Sequence, residues 1–274
     1  IRQSGTQEEP ERRGARAPEC RQDGVPECQV AQMPSPAAPA AQPVQKIRFE
    51  FQKMGELRYL SHLELMRALQ RALRRAGVPL HYTQGFNPQA KISAAQALAV
   101  GVEGLRELGE VELVSWMEPA DLLARGNAQL PPELKILRAW EAPLHGPSLS
   151  AGVRGATYQI RLPPNGWDPS ILAGLGSAGA CAEFLALRSI PVEALKKGEK
   201  TTLDAHPFVQ EFTVRTEDGS PAWELVLRAG PEGSVRPHAV MRTFLGRWVP
   251  PGELDRMVSS LRIVRTALAL EGQG

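Results

Sequence analysis

Few side chains in this chain could carry acid–base or metal chemistry, and their spacing gives little support for it. His62 stands one residue beyond Ser61, at the expected start of a helix, and helical periodicity puts it on the apolar side with Leu69 and Leu73. An imidazole there either accepts a hydrogen bond inside the core or serves as a proton-transfer or RNA-contacting group. His206 lies in KGEKTTLDAHPF, a polar stretch with Asp204 beside it and Lys196, Lys197 and Lys200 upstream. One His near one Asp could form a base and its orienting partner, but it is equally the composition of a polar loop. His145 and His238 have no supporting constellation in sequence. No phosphate-binding loop, GxGxxG, HExxH or Gly-x-Ser-x-Gly occurs. The three cysteines are scattered, with no C-x3-C-x2-C spacing for an iron–sulfur cluster and no ligand set for a closed zinc site. The expectation is that this chain holds no metal or cofactor of its own.

Binding chemistry is better represented. Ser61 with Glu64 three residues on is a capping box, and Gly77 and Pro79 supply a stop. Over the intervening helix Leu65, Met66, Ala68, Leu69, Ala72, Leu73 and Ala76 share one arc. Glu64, Arg67, Gln70, Arg71, Arg74 and Arg75 share the other. Such a cationic arc is either a solvated surface or a phosphate-binding stripe. The segment His81-Tyr82-Thr83-Gln84-Gly85-Phe86-Asn87-Pro88-Gln89-Ala90-Lys91 follows, mixing rings, amides and a cation. It is either a turn imposed by Gly85 and Asn87-Pro88, or a loop able to stack on bases and bond their edges. On the second reading Arg67, Arg71, Arg74 and Arg75 meet phosphates, joined by Arg58 ahead of the helix. Tyr82, Phe86 and Asn87 meet bases, and Lys91 flanks them.

From Lys46 to Ser93 the chain reads K-x-R-F-x-F-x-K-x-G-x-L-R-Y-L-S-H-L-E-L-M-R-A-L-x-R-A-L-R-R-A-G-V-P-L-x-Y-T-Q-G-F-N-P-x-x-K-I-S. This pattern resembles the bacterial radical SAM-linked protein family, a domain of unknown function fused to, or encoded beside, a radical SAM enzyme. The chain departs from the pattern after Phe86-Asn87-Pro88, with Gln89-Ala90 where the family usually has His-Pro. The resemblance implies a radical SAM protein as partner, fused or separate, which would carry the iron–sulfur cluster and S-adenosylmethionine. The stretch PECRQDGVPECQ, with Cys20 and Cys28, faintly resembles the cysteine-containing end of such partners. It implies that this chain continues a longer fusion.

The 274 residues suffice for one large or two ordinary domains. Residues 1–45 are rich in Pro, Ala, Gln and Arg and poor in large apolar groups, the composition of a disordered linker. Net charge is only +2, but it is unevenly spread. Residues 46–93 hold nine Lys or Arg against three Asp or Glu (9 − 3 = +6), while residues 94–150 hold four against eight (4 − 8 = −4). No apolar run is long enough to span a membrane, and a cytoplasmic location is expected.

Ile47, Phe49 and Phe51 alternate with polar residues as in a half-buried strand. The helix, a strand near Val78–Thr83, an alternating run at Glu110–Trp116, a helix at Ala120–Gln129 and a strand at Leu134–Trp140 follow. That order, β-α-β-β-α-β, predicts a ferredoxin-like unit over residues 46–145. A similar order over residues 146–274 predicts a second. The fold class expected is therefore α+β, two tandem ferredoxin-like units, with two sheets and a cleft between them. The functional expectation is a non-catalytic RNA-binding or substrate-presenting module. An RNA-processing subunit using His62 or His206, or a protein-docking scaffold for the radical SAM partner, are the alternatives.

Overall fold

Strand β1 (Gln45–Lys53) buries Ile47, Phe49 and Phe51 on one face, as the alternation requires. Helix α1 (His62–Arg75) lays Leu65, Leu69, Ala72 and Leu73 against that face. Its start is fixed by the expected box. The Ser61 hydroxyl accepts from the Glu64 amide, and the Glu64 carboxylate accepts from the Ser61 amide at 2.8 Å. Its end is fixed from outside, for Arg125 donates to the carbonyls of Ala76 and Gly77. The computed structural model describes residues 42–163, 166–196, 199–230 and 233–271. The expected linker, with Cys20 and Cys28, lies almost wholly outside them.

Then come β2 (Ile92–Ala94), β3 (Val102–Leu113), α2 (Pro119–Asn127) and β4 (Leu134–Ala142). Strand β1 lies between β4 and β3, and β2 pairs with β3, all antiparallel. The Val78–Thr83 segment is not a regular strand. It makes isolated bridges, Leu80 to Leu113 and Tyr82 to Ala90.

The second half consists of β5 (Val153–Arg161), α3 (Pro169–Leu175), α4 (Ala178–Leu185), β6 (Pro191–Lys196), β7 (Glu199–Asp204), β8 (Val209–Glu217), β9 (Ser220–Gly230), β10 (Gly233–Ser234), α5 (Pro237–Leu245), α6 (Pro251–Ser260) and β11 (Arg262–Leu270). Strand β5 lies between β11 and β9, and β8 pairs with β9, again all antiparallel. Phe184, Phe212, Trp223 and Phe244 meet edge to face in this half's core. Strands β6 and β7 pair only with each other.

The expectation of two sheets does not hold. Among the described residues one nine-stranded sheet runs through both halves, in the order β10-β9-β5-β11-β3-β1-β4 with β2 and β8 attached to β3 and β9. The cause is the length of β3. One edge of it serves β2 at Gly109–Val111 and takes β11 in parallel at Val102–Gly104. The described residues make a mixed α+β fold built on one large, mostly antiparallel sheet with six helices.

Candidate functional site

On α1 the residues Arg67, Arg71 and Arg74 are exposed and make no ion pair or hydrogen bond among the described residues. They recur at i, i+4 and i+7, so they form one row along the helix. Glu64, the one acid of that arc, forms no direct ion pair with them among the described residues, though it stays charged one turn from Arg67. Its carboxylate is held by the Ser61 hydroxyl at 2.7 Å and by the Ser61 amide, and these bonds lower its pKa. Arg75 differs from the other three. Its guanidinium donates to the Gln129 carbonyl at 3.0 Å and ties α1 to the connection after α2.

The segment after α1 is a protruding hairpin. Thr83 and Gln89 close it, amide to carbonyl at 2.8 Å, and the Gln89 amide also donates to the Thr83 hydroxyl at 3.0 Å. At its tip Gly85 has φ +122°, a value that a side chain would strain. Phe86 is fully exposed, at 106%. Asn87 and Lys91 are exposed too. Tyr82, in contrast, is half-buried and packs on the first-half core at the hairpin's base. There His81 Nδ1 lies 3.1 Å from a Glu112 carboxylate oxygen. Gln89, at the position where the resembled pattern has His, sits on the closing pair with its side chain exposed.

The catalytic candidates are poorly supplied with partners. His62 Nδ1 is buried with no hydrogen-bond partner. His206 is exposed. Asp204, which sequence proximity offers as its orienting partner, instead accepts from the backbone amides of Ile190 and His206 at 2.8 and 2.9 Å. That carboxylate organises a turn, and those two amides hold its pKa down.

A second cationic region forms where the halves meet, and sequence reasoning missed it. The residues 95–101 connect β2 to β3, and clefts of about 560 and 540 Å3 open on either side of this connection. Both touch Val100 and His238. The first adds Tyr158, Arg236 and Arg265, and the second adds Arg58, Tyr59, Ser259 and Arg262. Gly101 has φ +85°, and a Cβ built there would lie 3.6 Å from the His238 ring. Arg58, expected beside the stripe, stands at this cleft. It stacks 4.7 Å over the Tyr59 ring and donates to its hydroxyl at 2.9 Å, a bond that raises the Arg58 pKa. Burial lowers the pKa of His238, and neighbouring Arg236 adds to the effect.

Behind the clefts lies a buried charge cluster. Glu107 and Arg265 are both about 2% exposed and form a bidentate pair, with Arg265 Nε 2.8 Å from the carboxylate. Arg265 also reaches the Gln96 carbonyl at 3.1 Å. Glu103 is fully buried and accepts from Arg262 at 2.7 Å and from the Gly55 amide at 2.8 Å. Lys53 donates to the carbonyls of Arg58 and Leu60, at 3.3 and 3.4 Å. Its pKa is lowered to about 8 by burial, with Glu107 opposing the shift.

These features define a mixed α+β protein with two cationic surfaces, one along α1 and its hairpin, the other at the junction. The chain belongs to a family of uncharacterized proteins conserved in bacteria (DUF2344), whose model matches residues 46–237. No curated protein matches. A crystal structure of an unknown protein from Galdieria sulphuraria is similar at 10% identity, covering 82% of this chain and 98% of that one. Its TM-score is 0.23, which carries no argument about fold or function. Among the described residues no helix is long and apolar enough to cross a membrane.

Proposed function

We propose that this chain is a non-catalytic RNA-binding module that presents its RNA to a radical SAM enzyme, fused to it or docked on it. One observation carries the RNA half of this reading. Arg67, Arg71 and Arg74 form an exposed row that makes no ion pair among the described residues, with the single acid Glu64 at one end, tied to the helix cap. Exposed arginines in a row suit a phosphate backbone, and binding there releases condensed cations. The hairpin adds a base-stacking group in Phe86, with Asn87 and Lys91 beside it. Tyr82 is assigned mainly to packing, and Arg75 to the bond with Gln129.

The partner rests on the resemblance of the stretch from Lys46 to Ser93 to radical SAM-linked proteins. We read each half as a ferredoxin-like unit, since β4-β1-β3-β2 and β11-β5-β9-β8 repeat one antiparallel strand order. A cytoplasmic site of action accords with an RNA ligand.

The deciding experiment measures affinity for a structured RNA over a range of salt. Changing Arg71 and Arg74 to Glu should leave thermal stability unchanged. It should weaken binding and flatten the salt dependence by about one unit of slope per lost phosphate contact. Unchanged binding would assign the row to ordinary solvated surface. Co-purification with the radical SAM protein, independent of RNA, tests the partner separately.

A further inference from the structure

We propose that the two adjoining junction clefts, which share Val100 and His238, bind a nucleotide, with its phosphate on the arginines of their walls (Arg58 and Arg262 in one, Arg236 in the other) and its base against Tyr59 and Val100. The three arginines come from separate parts of the chain: the turn before α1, the residue preceding α5, and the start of β11. Each keeps donors free. Arg58 commits one terminal nitrogen to the Tyr59 hydroxyl and to an ion pair with the exposed Glu56 at 3.7 Å, which leaves its other donors free. Arg262 turns Nε and one terminal nitrogen to the buried Glu103, yet 57% of its side chain stays exposed. Arg236 is exposed and makes no side-chain bond among the described residues.

The lining chemistry is selective for an anion. Neither cleft has an Asp or Glu in its wall. Grooves elsewhere on the molecule do, with Glu50, Glu193 or the pair Glu217 and Asp218. Behind the clefts Glu103 and Glu107 are buried and committed to arginines of β11, while Glu56, 3.7 Å from Arg58, has a side chain 85% exposed. A wall with arginines and no acid favours an anion over a neutral ligand, and the arginine fork suits phosphate.

The aromatic wall points to a base in addition to a phosphate. Tyr59 and Val100 are each 56% exposed, an unusual setting for large apolar groups beside a cleft. Arg58 already stacks on the Tyr59 ring, the geometry that lets a planar base join the pile. His238 stands in both clefts with no bond made by its ring among the described residues. Its imidazole can donate to or accept from the sugar or the base edge.

The phosphate could belong to a free nucleotide or to the end of an RNA chain, and the assay separates these. Binding of adenosine monophosphate, adenosine, and two short RNAs, one with a 5′-phosphate and one with a 5′-hydroxyl, would be followed by calorimetry on the full chain. The expectation is that adenosine monophosphate binds at least about tenfold more tightly than adenosine, the value of one charged hydrogen bond. Arg236→Glu should abolish that preference, and Val100→Glu, which puts a carboxylate at the shared mouth, should do the same. Both positions are exposed, so melting temperatures should not move. Arg71→Glu with Arg74→Glu should leave the preference intact, which keeps this site distinct from the α1 row. A preference shown only by the 5′-phosphorylated RNA assigns the site to an RNA end. Absence of any phosphate preference in either pair, or a preference that survives Arg236→Glu and Val100→Glu, overturns the proposal.

Discussion

Phe86 has its whole side chain in solvent, on a hairpin whose closing bonds do not involve it. Removing the ring should therefore cost the fold nothing while removing a stacking surface. Phe86→Ala is expected to leave the melting temperature unchanged and to weaken RNA binding by about 1–3 kcal/mol. A lowered melting temperature with intact affinity would return the residue to a structural role. Lys53 gives a pH prediction. Its folded pKa is near 8 and its ordinary value is 10.5, so between these values the unfolded chain holds a proton that the folded chain has released. Stability should rise with pH across that window, the cost of burying the ammonium being fully felt below it. Urea unfolding of the wild type and Lys53→Met at a series of pH values checks this. The difference should shift toward the wild type from about pH 8 to about pH 10, and parallel curves would refute it. None of this charge cluster was legible in the sequence. Glu103 and Glu107 look like surface acids until Arg262 and Arg265, more than 150 positions away, are seen to cover them.

At the scale of elements the sequence was most informative where one face alone is buried. Helix α1 begins after Ser61 as its capping box requires, and α3 and α5 each start on a proline, Pro169 and Pro237. Strand β3 was read only from Glu110, because buried acids interrupt the apolar alternation over its first half. Strand β7 was read as a loop because its described side chains are nearly all exposed, and α6 buries only Met257, too little to leave a stripe. Two substitutions separate the forces that hold α1. Ser61→Ala removes the cap and should cost about 1 kcal/mol. Leu69→Ala empties a fully buried site and should cost about 2–5 kcal/mol. Chemical denaturation of both variants tests this ranking, and equal small losses would mean α1 is barely anchored to the sheet.

For the whole molecule, the shared sheet predicts dependence between halves that a tandem arrangement would not show. A fragment of residues 42–145 retains Glu103 and Glu107 but loses Arg262 and Arg265, leaving two carboxylates at a bared sheet edge. Removing one partner of a buried pair costs about 3–5 kcal/mol. The fragment should therefore be poorly folded, with broad amide resonances, and the intact chain should unfold in one transition. A well-dispersed spectrum from the fragment would show that the halves are separable. The parallel contact of β11 with β3 was not legible in the sequence. Short parallel pairings leave no local mark on either strand.

The position of β11 also sets a timetable. Among the described strands it comes after all the others, yet it lies near the middle of the sheet, between β5 and β3. A ribosome delivers residues in order, so β3 and β5 must wait with facing edges bare until the stretch Arg262–Leu270 emerges. Until then the nascent chain offers two adhesive borders to any strand that passes, its own or a neighbour's. Of this sheet the centre is completed last, and a chain stopped before Arg262 would lose its middle, not its margin.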